Sequence, residues 1–344
     1  MRPNFFQHVH PPSVPAEQAR WRYTLGAGGI AVFLVLVLVV SGMLEMFYYI
    51  PSPGEAALSI QTLSYLVPFG GLIRNLHFWA AQILVVVMTV HLARVVLTGS
   101  YAPPRRFNYL LGLALFAVAV LLDFTGYVLR WDTGIQWALV VGTNLVKSIP
   151  WVGGFFYRML VGGNEPGPAT LTRFYSWHVY GLALAAEILI VWHIFRVRRA
   201  GGIAVPPPKL RADTRRISRG ELVHREVTAV ILSAAALLLV SAVIPAPIAP
   251  AITKITAASS DASAPWFFLW IQEMLKWGSP FVWGVLAPLA VLAILALIPY
   301  VLPQPAPQDL GRWLPPSNRP AQLVLAAITL GILLLTLLGL RSTM

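Results

Sequence analysis

Residues 72–98 read LIRNLHFWAAQILVVVMTVHLARVVLT, an apolar run that carries histidines at positions 77 and 91. A second apolar run, 174–196, carries His178 and His193. Both exceed the ~18 residues at which a segment reads as membrane-spanning. Ionisable side chains inside a bilayer are costly and mark function. At 100° per residue, steps of 14 and 15 residues return to within about 40° and 60° of the starting direction. Each helix therefore offers two imidazoles on roughly one face, about 21 Å apart along its axis.

The rest of the chain fits the same setting. Of 344 residues, 57% are hydrophobic and only 11% charged, whereas a soluble domain averages roughly 45–50% and about 25%. Further apolar runs at 24–48, 108–130, 227–246, 279–302 and 320–340 bring the expected spans to seven. The fold expected is an all-α membrane protein. The first 23 residues are polar and lack the apolar core of a cleavable signal peptide, so the first span is expected to be retained. Placing the N-terminus inside puts 17 of the 25 Lys and Arg on that side, among them Arg2, Arg20, Arg22, Arg105, Arg106 and Arg225. That asymmetry is the positive-inside signature, and it accounts for the net charge of +12 without a nucleic-acid partner. Runs 136–146 and 151–161 read as short helices at the membrane surface. The Pro- and Arg-rich stretch 201–226 divides a four-helix part (1–200) from a three-helix part (227–344). With no cysteine, disulfides, thiolate metal sites and thioether-linked haem are excluded.

If the two histidine helices pack antiparallel, the imidazoles form two facing pairs, one near each membrane surface. Such pairs suit low-spin haem iron held on both axial sides inside a helical bundle. For a single histidine the plainer reading is a bond to backbone or a neighbouring helix; four in this arrangement favour ligand pairs. Gly29 and Gly42 in the first span, and Gly112 and Gly126 in the third, repeat the spacing and would admit a porphyrin edge, although ordinary helix packing also uses glycine. Arg74, Arg94 and Arg173 each lie near a histidine on its surface-facing side. They would pair with haem propionates or snorkel to headgroups. Of the remaining histidines, His8, His10 and His224 fall outside the spans. Asp213 and His224 read as loop residues that would otherwise serve proton uptake, and Glu187, midway between His178 and His193, has no assignable role.

The residues Arg74-Asn-Leu-His77, His91-Leu-Ala-Arg94, Thr125-Gly126-Tyr127, Trp131-Asp132 and Thr170-Leu-Thr-Arg-Phe-Tyr-Ser-Trp-His178 resemble cytochrome b of the bc-type quinol:cytochrome c oxidoreductases. The resemblance is dense over about 20–200 and thinner over 227–344, and the 15-residue step resembles the cytochrome b6 branch. It implies two non-covalent b-type haems, with His77 and His178 on the outer one and His91 and His193 on the inner one. It also implies quinol oxidation at an outer site and quinone reduction at an inner site in a dimeric complex. A Rieske iron–sulfur protein and a c-type cytochrome are the partners implied, in a bacterial cell membrane with its lipids.

Two departures from the family pattern matter. The outer-site Pro-Glu-Trp-Tyr motif corresponds here to the stretch Ala264-Pro265-Trp266-Phe267-Phe268-Leu269, which has neither the glutamate nor the tyrosine hydroxyl. Trp266 and Phe267 are expected at that site, with Glu273, Asp123 or Asp132 as the quinol proton acceptor. The plainer reading of Asp123 is a helix–helix hydrogen bond. The second departure is the missing cysteine, which leaves no thioether for the extra haem of the b6 branch. Two rival readings stand beside this one: a dihaem subunit passing electrons to a non-Rieske acceptor such as a multihaem cytochrome, and a haem-free transporter or scaffold.

Overall fold

The computed structural model describes residues 11–211, 213–252 and 264–343; Arg2, His8 and His10 lie outside them. Eleven helices of seven or more residues organise the described chain: α1 (Ala27–Met46), α2 (Ala56–Leu66), α3 (Gly70–Leu97), α4 (Arg106–Leu129), α5 (Gln136–Lys147), α6 (Gly153–Val161), α7 (Pro168–Arg199), α8 (Arg219–Val243), α9 (Leu269–Leu275), α10 (Phe281–Val301) and α11 (Arg319–Thr343). Seven of these, α1, α3, α4, α7, α8, α10 and α11, are long and apolar enough to cross a bilayer. Their outward faces carry bare Leu side chains, as at Leu323, Leu330 and Leu333, which water would not tolerate but lipid does. α2 has no counterpart in the sequence reading, which passed from the first span directly to the second.

Local signals set the boundaries. Gly26 turns the chain into α1 with φ +63°, a conformation glycine adopts freely. Pro168 opens α7 in its first turn, where a missing N–H costs nothing. Gly201 and Gly202, both at φ +84°, follow its end. Ser218 caps α8 by accepting the Glu221 N–H at 3.2 Å. The segment Ser13–Pro15 (β1) pairs antiparallel with Arg216–Ser218 (β2), so the 201–218 stretch is tied to the N-terminal segment. Asp213 reinforces the tie through Arg20 (2.7 Å) and Arg215 (3.1 Å). The Arg215 side chain and N–H hold its carboxyl down at about 2.

Three apolar clusters hold the helices together. One, with Val128, Trp131, Ile135, Leu139, Leu171 and Phe174, packs α5 and α7 under the end of α4. A second, with Leu34, Ala80, Leu84 and Leu237, joins α1, α3 and α8 at mid-depth. The third, at the opposite end from the first, binds α3 and α4 to α10 and α11 through Val96, Tyr109, Ile298 and Ala321. In that last cluster Tyr109 donates to the Leu295 carbonyl at 2.8 Å. Tyr101 donates to Asn318 Oδ1 (2.6 Å), whose amide donates to the Val96 carbonyl (2.7 Å). Asn318→Ala strips both buried groups of partners and is expected to cost about 1–3 kcal/mol, read as a lower unfolding temperature of the purified protein. An unchanged temperature would contradict this role.

Candidate functional site

The interior of the bundle encloses a cavity of about 2190 Å³, well above the ~300–1,000 Å³ of a single small-molecule pocket. All four span histidines line it. At one end the His77 and His178 rings face each other with centroids 6.3 Å apart and planes at 65°. The first histidine of each helix meets the other, so α3 and α7, separated by the single span α4, run parallel, which corrects the antiparallel packing expected from the sequence. Metal–imidazole bonds of about 2 Å on either side of one iron need a separation of this size, so the pair fits an axially held haem iron.

Two hydroxyls and one backbone carbonyl fix the orientation of these two rings. His77 Nδ1 lies 3.0 Å from Ser41 Oγ, whose own hydrogen goes to the Val37 carbonyl. His178 Nδ1 lies 3.1 Å from Thr125 Oγ1 and 3.1 Å from the Leu122 carbonyl. Thr125 donates back to Leu121. In both cases the hydroxyl is committed as a donor, so Nδ1–H is the donor to it and the Nε2 lone pair is left for a metal. Ser41-Gly42 on α1 and Thr125-Gly126 on α4 thus repeat one device: a hydroxyl for the ring nitrogen beside a glycine for the ring edge. Sequence reasoning found the glycines and missed the hydroxyls; the residue before each glycine was the available signal.

Three of the expected glycines, Gly42, Gly112 and Gly126, make room for the imidazoles themselves. A Cβ at Gly42 would lie 3.0 Å from His77 Cε1, and one at Gly126 2.8 Å from His178 Cε1. At the other level a Cβ on Gly112 would lie 3.3 Å from His193 Cε1. There the α1 residue is Gly28, 3.3 Å from His91 Cε1, whereas Gly29 has nothing within 4 Å. One residue on a helix is a 100° rotation, enough to turn Gly29 off the contact. Gly28→Leu is expected to displace His91 and lower haem content at that level, while Gly29→Leu keeps full content. Equal haem loss in the two variants would contradict the assignment.

The longer step in α7 also has a local cause. Trp177–Leu182 is a π-helical turn, which takes up one extra residue and is a frequent feature of functional helices. With one residue absorbed, His178 and His193 face the same cavity as the 14-residue pair does.

The arginines divide. Arg94 lines the cavity beside His91, with its Nε on the Tyr23 carbonyl (3.3 Å) and its Nη2 buried without a partner; a propionate fits that vacant donor. Arg74 also lines the cavity, but its terminal nitrogens donate to the Ala246 and Pro247 carbonyls beyond the C-terminus of α8. Asn75 and Trp79 donate beside it to Ser241 and Ile244. Arg173 is turned away from the cavity and lies against Gly162, so the structure does not support its propionate role. Arg130, not anticipated from sequence, lines the His77 end and pairs with Asp132 at 2.7 Å.

The candidate acids also separate. Glu273 pairs with Lys276 at 2.5 Å and does not line the cavity. Asp132 is held by Arg130 and the Ala249 N–H (3.2 Å) and is likewise off the lining. Asp123 does line it. Gln82 Nε2 donates to both its oxygens (3.0 and 3.2 Å), and Gln82 Oε1 accepts the Trp266 indole N–H at 2.8 Å. The tryptophan that follows Pro265 is thereby linked through one amide to a carboxylate on α4. Trp266 and Phe267 both face the cavity, and Phe268 packs on Phe267 and Phe124. Glu45, near the end of α1, also lines this end, with a buried Oε1 that has no partner. At the opposite mouth Asn108, Arg105, Arg198 and His224 border the cavity, while Asp213 is engaged by its arginines. Glu187 faces the cavity between the two levels.

A large histidine-lined cavity inside apolar helices is the site of a membrane haem protein. The family described as Cytochrome b/b6/petB matches residues 14–201, and the chain belongs to that cytochrome b family, whose members are b-type haem subunits of membrane electron transfer. Cytochrome b6 of Chlamydomonas reinhardtii is 40% identical over 174 residues, which is 51% of this chain and 81% of that protein. Cytochrome b6 of Emiliania huxleyi is 39% identical over the same shares. A solved structure titled "Hyperthermophilic respiratory Complex III" shares the fold over 93% of this chain and 92% of its own, with a TM-score of 0.72 and 22% identity. Family membership sets aside a haem-free transporter or scaffold.

Proposed function

We propose that this chain is the dihaem subunit of a quinol:cytochrome c-type oxidoreductase, with His77 and His178 holding the outer haem and His91 and His193 the inner one. The observation that carries the reading is the facing His77–His178 pair, its Nδ1 atoms held by hydroxyls and its Nε2 atoms free to bind iron. When bound, the two haems supply one-electron transfer across the membrane. The protein's own residues do the rest. Trp266 and Phe267 wall an aromatic quinol site at the outer end, with Phe268 packed on Phe267. Asp123 accepts a quinol proton there, with Gln82 holding the carboxylate and the Trp266 indole in register. Arg94 anchors a propionate at the inner level, and the basic mouth around Arg105, Arg198 and His224 serves quinone reduction. Quinol oxidation outside and quinone reduction inside would move protons across the membrane. The excess of basic residues on the N-terminal side supports an N-terminus in the cytoplasm of a bacterial cell.

A chain without cysteine carries no iron–sulfur cluster of its own, so the reading requires a Rieske protein and a c-type cytochrome, in a dimeric complex. The replacement of the loop glutamate by Trp266 favours one rival, in which quinol electrons leave to a multihaem cytochrome. Purification of the intact complex, with subunits identified and quinol-dependent cytochrome c reduction measured, separates the two. Rieske and c-type subunits with turnover are expected; a complex holding a multihaem subunit and no Rieske protein would overturn the first reading.

A further inference from the structure

Glu45 is an acid that the proposed chemistry leaves unused. It stands near the end of α1, one turn beyond Gly42, whose backbone lies against His77. The side chain lines the cavity, and Oε1 is buried with no hydrogen-bond partner. Arg74, one turn from His77 on the antiparallel α3, lines the cavity as well. That guanidinium is nevertheless committed to the Ala246 and Pro247 carbonyls. A buried carboxylate oxygen without a partner is expensive and requires an explanation.

We propose that Glu45 is a proton-binding group coupled to the charge at the His77–His178 site, so that one electron arriving there draws one proton onto the Glu45 carboxylate. The inference rests on the reading of that pair as haem ligands. An oxidised iron site carries one more positive charge than a reduced one. In a low-dielectric bundle a carboxylate one or two helical turns away feels that difference strongly. The oxidised site favours the Glu45 anion and the reduced site favours the acid. In turnover quinol supplies both: one quinol O–H bond breaks as the O–H bond on Glu45 forms, and the quinol is oxidised as the site is reduced. In an equilibrium titration the proton comes from hydronium, which leaves as water.

The other charged and titratable groups at this end have partners, although Asp132, off the cavity lining, also keeps one buried oxygen, Oδ1, without one. Arg74 from α3 is a fixed cation held by carbonyls. Tyr49 donates to the Leu129 carbonyl (2.8 Å) and stacks on Tyr175 from α7. At the end of α4, Tyr127 donates to the Gly134 carbonyl (2.7 Å), and Arg130 is paired with Asp132. Asp123, deeper on α4, has both oxygens on Gln82. Tyr65 on α2 couples to Arg74. Glu45 is left, among the described lining residues of this end, as the carboxylate with an unclaimed oxygen.

Potentiometric titration of the haems in the purified complex, across neutral and alkaline pH, tests this. In the wild type the midpoint of the His77–His178 haem is expected to fall as pH rises. The limiting slope is tenfold in the reduction equilibrium per pH unit, or 59 mV. Glu45→Gln is expected to flatten the dependence and hold the midpoint near the wild-type acid limit, with Glu45→Asp keeping the slope and the His91–His193 haem unmoved. Two haems per chain with an unaltered slope in Glu45→Gln would overturn the proposal, as would a flat wild type or a flat Glu45→Asp. Haem counted in the same samples separates the failures: a wild-type complex without haem would overturn the ligand reading and this inference with it.

Discussion

His178→Ala is expected to purify with one haem per chain where the unaltered protein carries two. In the proposed assignment His178 is one of two imidazoles on the outer iron, and its ring has no interchangeable neighbour: Gly126 lies against one edge and Thr125 and Leu122 hold Nδ1. Alanine removes a ligand and leaves a void that no nearby nitrogen fills. His77→Ala should give the same loss, because the facing rings act on one metal. His91→Ala or His193→Ala should spare this level and empty the other. Thr125→Ala makes the finer point: the ligand stays, its orienting partner goes, and haem affinity should weaken about 10–100-fold with the outer-haem spectrum shifted. If His178→Ala retains two haems with unchanged spectra, His178 is not a ligand and the facing pair has another purpose.

The second large effect is expected at Asp123. Loss of a positioned proton acceptor slows a reaction about 10²–10⁴-fold, and Asp123→Asn should lower quinol oxidation by that order with both haems in place. Asparagine keeps the size and one oxygen for the Gln82 amide, so the helix contact survives while the proton site does not. An interhelical hydrogen bond of this kind is worth only about 0.6–2 kcal/mol, so a purely structural Asp123 would leave the rate nearly untouched. Asp123→Glu is expected to recover part of the rate with an altered pH profile. Glu273→Gln, outside the cavity and paired with Lys276, should stay within about twofold of wild type. Wild-type turnover in Asp123→Asn would place the acceptor elsewhere.

What the sequence disclosed follows from which physical constraints are local. Spans are legible because a bilayer demands long apolar runs, and the four histidines because an ionisable group there stands out against its neighbours. Details that depend on rotation were lost. Gly28 and Gly29 are adjacent and chemically identical, and only the phase of α1 against α3 chooses between them. The 15-residue step looked like a 60° misalignment until a π turn absorbed the extra residue. Ser41 and Thr125 are ordinary hydroxyls until their glycine neighbours bring an imidazole alongside. Chain distance to a histidine or a loop motif does not place Arg173 or Glu273: Arg173 packs against Gly162, and Glu273 pairs with Lys276 one helical turn on. A carboxylate near the end of a span, such as Glu45, reads as a surface group, and only the packed bundle shows that it lines the cavity with a buried oxygen.

A redox-titrated visible spectrum of the purified protein, with haem quantified per chain, tests the central claim most directly. Two b-type haems with separate midpoint potentials are the expected result. A single haem would show that one imidazole pair is not a ligand pair, and an intact preparation with no haem would contradict the dihaem account.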